Sequence, residues 1–237
     1  MQKKTFRNSI YGAYKANRGE PPEDLIPQFE IIREAVDAFK ITRVELSGYE
    51  ADDLIATYAN FFDEKKWSVE IVSSDKDLMQ LINKNITMKD PMKNKVIGRE
   101  EVFQKFGVYP NKVIDVQSLA GDNVDNIPGA PGIGIKTAAS LVNEFGSLEN
   151  ILNNYSKIKQ NKRRETIKNN IKNILISKQL VTLKSDIDIE IILENISETS
   201  VNNASLSKFF AKYGFNNLQA KIGNPQNKFY EQEKSTL

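Results

Sequence analysis

Residues 121–137 read Gly121-Asp122-Asn123-Val124-Asp125-Asn126-Ile127-Pro128-Gly129-Ala130-Pro131-Gly132-Ile133-Gly134-Ile135-Lys136-Thr137. Two carboxylates stand in a glycine-led turn, and a glycine hairpin follows at once. The hairpin is not a Walker A loop, because Ile135 stands where that motif needs Lys. It is not G-x-G-x-x-G either, because Thr137 stands at the third glycine. No strand pattern precedes it. What remains is helix, G-x-G turn, helix. The glycines allow a backbone phosphate to approach, and the second helix offers free N–H groups. Lys136 adds positive charge to the first turn, against the helix dipole, which a bound phosphate would offset. An ordinary helical hairpin is the alternative.

Two more acidic clusters lie upstream, Glu50-Ala51-Asp52-Asp53 and Asp75-Lys76-Asp77. Each cluster alone could be a helix cap, and Asp122 and Asp125 could be turn formers. Their recurrence favours a site. Carboxylates gathered without cations repel one another, and hard divalent ions with oxygen ligands remove that repulsion. Residues 41–46 alternate as a strand with Val44 and Leu46 on one side, broken by Ser47-Gly48. The helix that follows carries Leu54, Ile55, Tyr58, Phe61 and Phe62 on one stripe. Val69, Ile71 and Val72 predict a second strand ending at Ser73-Ser74. A further helix begins near Asp75 and buries Leu78, Leu81 and Ile82. Strand–helix–strand–helix order implies a parallel sheet with helices on both faces. In such sheets sites form beyond the carboxyl ends of strands, where both clusters fall.

The apolar spacing of Leu25, Ile26, Phe29, Ile32, Val36 and Phe39 predicts a helix over 23–39 behind Pro21-Pro22. After Phe106-Gly107 the pattern turns all-helical, with helices over 111–120, 136–145, 147–154, 160–182 and 204–213. Residues 224–237 close the chain as a polar tail without periodicity.

Composition narrows the chemistry. The 237 residues contain neither Cys nor His. Disulfides, thiolate and imidazole zinc sites and histidine-based triads are thereby excluded. A cytoplasmic location fits. No run of eighteen apolar residues is present, so no membrane span is expected. Net charge is only +2, yet it is unevenly spread. Residues 1–19 carry Lys3, Lys4, Arg7, Lys15 and Arg18 with no acid. Residues 157–172 set seven cations against Glu165 alone. The acids lie between, a layout that suits a polyanion gripped on both sides of a metal site. Tyr11 and Tyr14 could stack on bases or pack on the core. Together these features point to a metal-dependent enzyme acting on a phosphodiester backbone.

Thr5-Phe6-Arg7, Tyr14-Lys15-x-x-Arg18, the three acidic clusters and Gly132-Ile133-Gly134-x-Lys136-Thr137-Ala138 occur in an order that resembles the 5′-3′ exonuclease domain of bacterial DNA polymerase I. That domain belongs with the structure-specific 5′ nucleases, or flap endonucleases. The match runs from about Thr5 to about Phe215. It implies a PIN-like α/β nuclease domain over 1–108, with a helical-arch segment in 1–20, then a helix–hairpin–helix subdomain over 109–223. Glu50, Asp52, Asp53, Asp75, Asp77, Asp122 and Asp125 would hold two Mg²⁺ or Mn²⁺ ions, directly or through water, roughly 4 Å apart. Lys15 and Arg18 would act with them in catalysis. Arg7, Tyr14, Lys15 and Arg18 would contact the 5′ strand. Gly132, Gly134, Lys136 and Thr137 would hold downstream duplex, with a monovalent cation at the hairpin. The implied partner is DNA bearing a 5′ flap or nick, and the implied role lies in replication and repair.

The family's domain begins several dozen residues before the point matching Met1. That preceding part carries a central strand with a metal-binding Asp, and a further family Asp lies just before the stretch matching Lys3-Lys4-Thr5. The sequence also ends before the proofreading and polymerase domains of a full DNA polymerase I. These departures give the expectation of a shortened domain that needs an N-terminal fragment, or polymerase domains, as partners. They also give the alternative of a catalytically weak or dead DNA-structure-binding fragment.

Overall fold

The computed structural model of the chain describes residues 4–188 and 203–222; the predicted tail and Lys3 lie outside them. Contacts divide the chain into two units, one of residues 1–19 and 45–189 and the other of residues 20–44 and 190–237. The expected boundary near 108 falls inside the first unit. There Ile71, Met88 and Phe106 share one core with Val116, Ile133 and Ile174.

Three β-branched residues in four make Val69–Val72 (β1) extended. It pairs in parallel with Ile86–Asp90 (β2), Val69 opposite Ile86 and Val72 opposite Lys89. On β2, Ile86, Met88 and Asp90 are buried in strict alternation. β2 then pairs antiparallel with Lys95–Ile97 (β3), Met88 opposite Ile97. The connection is too short for anything else, since a parallel return needs a crossover of a dozen residues or more. The Asp90 carboxylate accepts the Met92 and Lys93 amides, and Asn94 at φ 46° closes the turn. The sheet is therefore mixed, in the order β1-β2-β3, and not wholly parallel as expected.

Two further expectations are corrected. Residues 41–46 form no strand. Alternation alone does not suffice without a ladder partner, and Ile41 and Leu46 are exposed. The helix expected near Asp75 is a single 3₁₀ turn, Asp77–Leu81, that stops where Ile82 turns extended. It still buries Leu78 and Ile82.

Phe6–Ile10 forms a short helix (α1); Ile26–Ala38 (α2) belongs to the second unit, and Ala51–Glu64 forms α3. Arg99–Phe106 (α4) ends on Gly107, whose positive φ lets its amide close on the Phe103 carbonyl at 2.8 Å. The remainder of this unit is helical, as expected. Val113–Ala120 (α5) places Val113, Val116 and Leu119 wholly inside, each contributing about 1.5–3 kcal/mol by burial. Ile135–Phe145 (α6) turns Ala138, Leu141 and Val142 inward and Lys136 outward. Leu148–Asn153 (α7) is capped by Ser147, whose Oγ accepts the Asn150 amide. The single helix expected over 160–182 is two, Asn161–Asn169 (α8) and Ile171–Val181 (α9). The break is at Asn170, whose side chain donates to the Thr166 carbonyl at 2.8 Å.

Between α5 and α6 the chain crosses itself at Gly121 and Gly129. Asp122 and Ile127 exchange backbone hydrogen bonds of 2.9 and 2.7 Å. A Cβ on Gly121 would stand 2.5 Å from the Ile127 carbonyl oxygen, and one on Gly129 2.4 Å from the Gly121 nitrogen. Both residues also have positive φ, so glycine is required twice over. The Gly129 amide donates to the buried Ser177 Oγ on α9 at 2.8 Å.

In the second unit, Ile26–Ala38 (α2) carries Pro27 in its first turn, where Pro is favoured. Asn203–Tyr213 (α10) and Asn216–Ile222 (α11) complete its described part. Leu206, Phe209 and Phe210 pack with Ala38, and Lys212 grips Glu34 through two hydrogen bonds of 2.8 and 2.9 Å. Among the described residues no helix is long and apolar enough to cross a membrane.

Candidate active site

Each acidic cluster is delivered by a different turn. Glu50 stands at the N-cap of α3 with extended backbone, so Asp52 and Asp53 fall in the first helical turn. There the helix dipole favours negative charge. Asp75 follows β1, its amide held by Ser73 Oγ at 3.0 Å, and its own Oδ1 accepts the Asp77 amide at 2.9 Å. Asp122 and Asp125 occupy the glycine-necked turn, where Asp122 Oδ1 accepts the Val124 amide at 2.7 Å. All three clusters reach one place. A cavity of about 340 Å³ is lined by Glu50, Asp52, Asp75, Asp77 and Asp125, and by Tyr14, Lys15 and Arg18.

The charges sort into two groups. Lys15 Nζ donates to both Glu50 oxygens at 2.9 and 2.8 Å and lies 3.7 Å from Asp125. Arg18 pairs with Asp125, and Lys76 pairs with Asp122. Burial works against the Asp122 carboxylate, yet the bond and charge of Lys76 hold its pKa below the ordinary value. The second group is Asp52, Asp75 and Asp77. Asp77 receives one hydrogen bond from Gln117 Nε2 at 2.5 Å. Asp52 has no ion pair among the described residues. Burial pushes its carboxyl up to about 6, aided by the charges of Asp75, Asp77 and Glu50. Burial, then Asp75, raises Asp77 as well. The set is all oxygen and short of positive charge, which fits a hard divalent cation. Among the described residues no three carboxylates converge into a ready-made metal centre.

Three expected contacts are placed elsewhere than expected. Tyr14 is buried and donates its hydroxyl to Glu50 Oε2 at 3.1 Å, so it is not available to stack on a base. Arg7 is buried at the base of the cavity lining, and Asp53 is fully enclosed beside it, 2.7 Å away. Burial pushes the Asp53 carboxyl up, but the Arg7 bond and the Lys184 amide outweigh it and hold its pKa low. The segment expected as an arch is α1 followed by turns, pinned by Lys15 N–H to the Asp125 carbonyl at 2.9 Å and Asn126 Nδ2 to the Ala13 carbonyl at 2.6 Å.

The hairpin residues form a separate surface, for none of Gly132, Gly134, Lys136 or Thr137 lines the cavity. Gly132 has φ 79°, which asks for glycine. Gly134 caps α6 at φ −87°, and a Cβ there would meet nothing within 4 Å. Neither backbone nor packing explains that glycine. The first turn of α6 holds no acid, and Lys136 is exposed. Lys76 and Gln117 were not singled out in the sequence. Lys76 could have been, as the one cation inside an acidic triplet.

A family model described as "5'-3' exonuclease, N-terminal resolvase-like domain" matches residues 1–107. A second, "5'-3' exonuclease, C-terminal SAM fold", matches residues 108–204. The chain belongs to the 5′-3′ exonuclease family. Among its relatives in that family, the 5'-3' exonuclease of Buchnera aphidicola subsp. Schizaphis graminum is 39% identical over 220 residues, covering 90% of this chain and 77% of that protein. DNA polymerase I of Rhizobium leguminosarum is 49% identical over 219 residues, or 92% of this chain. The chain spans only 22% of that polymerase's length. The structure of T5 5'-exonuclease with divalent zinc bound superposes with a TM-score of 0.69 at 23% identity, covering 89% of this chain and 79% of that one. At that identity it shows the exonuclease fold, a resolvase-like domain followed by helices.

Proposed function

We propose that the chain is a divalent-metal-dependent 5′-3′ exonuclease or flap endonuclease unit that hydrolyses DNA phosphodiesters at 5′ ends or flap junctions. The observation that carries this is the crowding of Asp52, Asp75 and Asp77 in one cavity without a paired cation. Those three, with Glu50, Asp122 and Asp125, would hold Mg²⁺ or Mn²⁺. When bound, such ions lower the pKa of water and steady a leaving oxygen. Lys15 and Arg18, beside Glu50 and Asp125 in the same cavity, would meet the scissile phosphate. Tyr14 would set Glu50 through its hydroxyl and leave base contacts to others. The Gly132–Gly134 backbone and Lys136 would hold downstream duplex by its phosphates, without reading sequence. A chain without cysteine suits the reducing cytoplasm, where bacterial DNA lies.

The test compares 5′-flap DNA, plain duplex and RNA, each with Mn²⁺, with Mg²⁺ and with chelator. Flap cleavage that needs the metal and falls at least tenfold in Asp75→Asn is expected. Cleavage that persists in chelator, or a preference for RNA, would overturn the proposal. One observation favours a second reading, a DNA-structure-binding unit that does not cut: Lys15, Lys76 and Arg18 already neutralise Glu50, Asp122 and Asp125. Tight flap binding with no metal-dependent product would support it.

A further inference from the structure

We infer that Arg7 and Asp53 are positioning residues that assemble three walls of the acidic cavity, a role that rests on the proposed nuclease reading. Arg7 Nη1 and Nη2 donate to the two Asp53 oxygens at 2.7 Å each. Arg7 Nε donates to the Leu180 carbonyl at 2.8 Å, and Nη2 reaches the Thr182 carbonyl at 3.3 Å. Asp53 accepts two further bonds of 3.0 Å, from the Lys184 amide on Oδ1 and the Glu50 amide on Oδ2. Four donors thus converge on one carboxylate that is 0% exposed. Little acceptor capacity and no path from solvent remain for an ion.

The knot joins three chain segments, and each supplies part of the cavity. α1 leads directly into Lys15 and Arg18. The first turn of α3 carries Glu50 and Asp52, and Asp53 holds the Glu50 main chain. The last residues of α9, Leu180 and Val181, and Leu183 just beyond it line the cavity. A bidentate guanidinium–carboxylate pair fixes distance and plane together, which a single hydrogen bond does not. Stability is a poor reason for the pair, since well-packed apolar side chains in place of a buried ion pair often serve as well. Placement of Glu50 and Asp52 is the better one, because only the pair reaches the Glu50 amide.

The experiment uses the full chain with Arg7→Met/Asp53→Leu, Arg7→Met and Arg7→Lys. The readouts are the melting temperature in chelator, duplex affinity in chelator, Mn²⁺ binding by titration calorimetry, and single-turnover flap cleavage. For the double variant, duplex affinity within threefold of wild type is expected. Mn²⁺ affinity and cleavage should each fall about 10–100-fold, as when supports of metal ligands are removed. If the double variant does not fold, Arg7→Lys decides, because it keeps the charge and loses the fork. Mn²⁺ affinity and rate within threefold of wild type in the folded variant would overturn the inference. So would tighter Mn²⁺ binding in Arg7→Met, the result due if Asp53, once released, were itself a ligand. A wild-type chain that neither binds Mn²⁺ nor cuts marks the failure of the nuclease reading instead.

Discussion

Asp52 should destabilise the metal-free chain, and its replacement by Asn should make that chain more stable. The carboxyl sits at about 6 in the folded state against 3.8 for the ordinary group. A folded value above the unfolded one means that the native state holds its proton more tightly. The penalty is absent below about pH 4, grows between pH 4 and 6, and is full above pH 7. The difference corresponds to about 3 kcal/mol as a ceiling, at 1.36 kcal/mol per tenfold. The side chain is only partly enclosed, so solvent screening brings this to about 1–2 kcal/mol. For a chain of this size that is roughly 3–6 °C in melting temperature. Wild type and Asp52→Asn would be melted in chelator at several pH values from 4 to 8. Taking the difference between them removes the opposing contribution of carboxylates such as Asp53, whose folded pKa is lowered. The expected difference is near zero at pH 4 and reaches a plateau near pH 7. Added Mn²⁺ should stabilise wild type more than the variant. A difference that stays flat with pH, or an Asn variant that is less stable at pH 7.5, would refute the account of a crowded acidic site.

Four more outcomes are expected. Gly134→Ala should leave the melting temperature unchanged within about a degree, since its Cβ meets open space, while duplex binding weakens; Gly129→Ala, forced against the Gly121 backbone, should cost more than about 2 kcal/mol in denaturant unfolding. Lys136→Ala should weaken binding equally on unrelated duplex sequences and lower the slope of log K against log salt by about one. Ser177→Ala strands the buried Gly129 amide and should cost about 1–3 kcal/mol, read as a shift in denaturant midpoint at unchanged slope.

What the sequence made legible was short-range. The three acidic clusters and the hairpin are each contiguous, so their residue types could be read without knowing the fold. The strand at 69–72 and the helical remainder followed from β-branched residues and apolar spacing. The misses share a cause, which is that partners distant in sequence decide them. Arg7 and Tyr14 look like surface residues of a basic segment, and burial is decided by Asp53 and Glu50, some three dozen residues or more away. Residues 41–46 alternate like a strand but find no ladder. Asp53 sits in the same motif as Asp52, and only the approach of Arg7 and Lys184 separates an enclosed carboxylate from a cavity-lining one. The antiparallel β3 hides behind three residues, too few for periodicity to show.

The crossing of the chain at Gly121 and Gly129 carries a rule for inheritance and for engineering. The neck closes a loop whose two ends meet backbone to backbone, leaving no room for a side chain at either glycine. A side chain at either neck glycine would strike backbone, which no change of a neighbouring side chain relieves, whereas Val124 at the exposed tip can vary without meeting the neck. Insertions are barred as well, because the Asp122–Ile127 exchange fixes the residue count between them. A designer who wished to alter this rim of the cavity would vary the exposed Val124 and keep Asp125 and Asn126, which hold the main chain of Lys15 and Ala13.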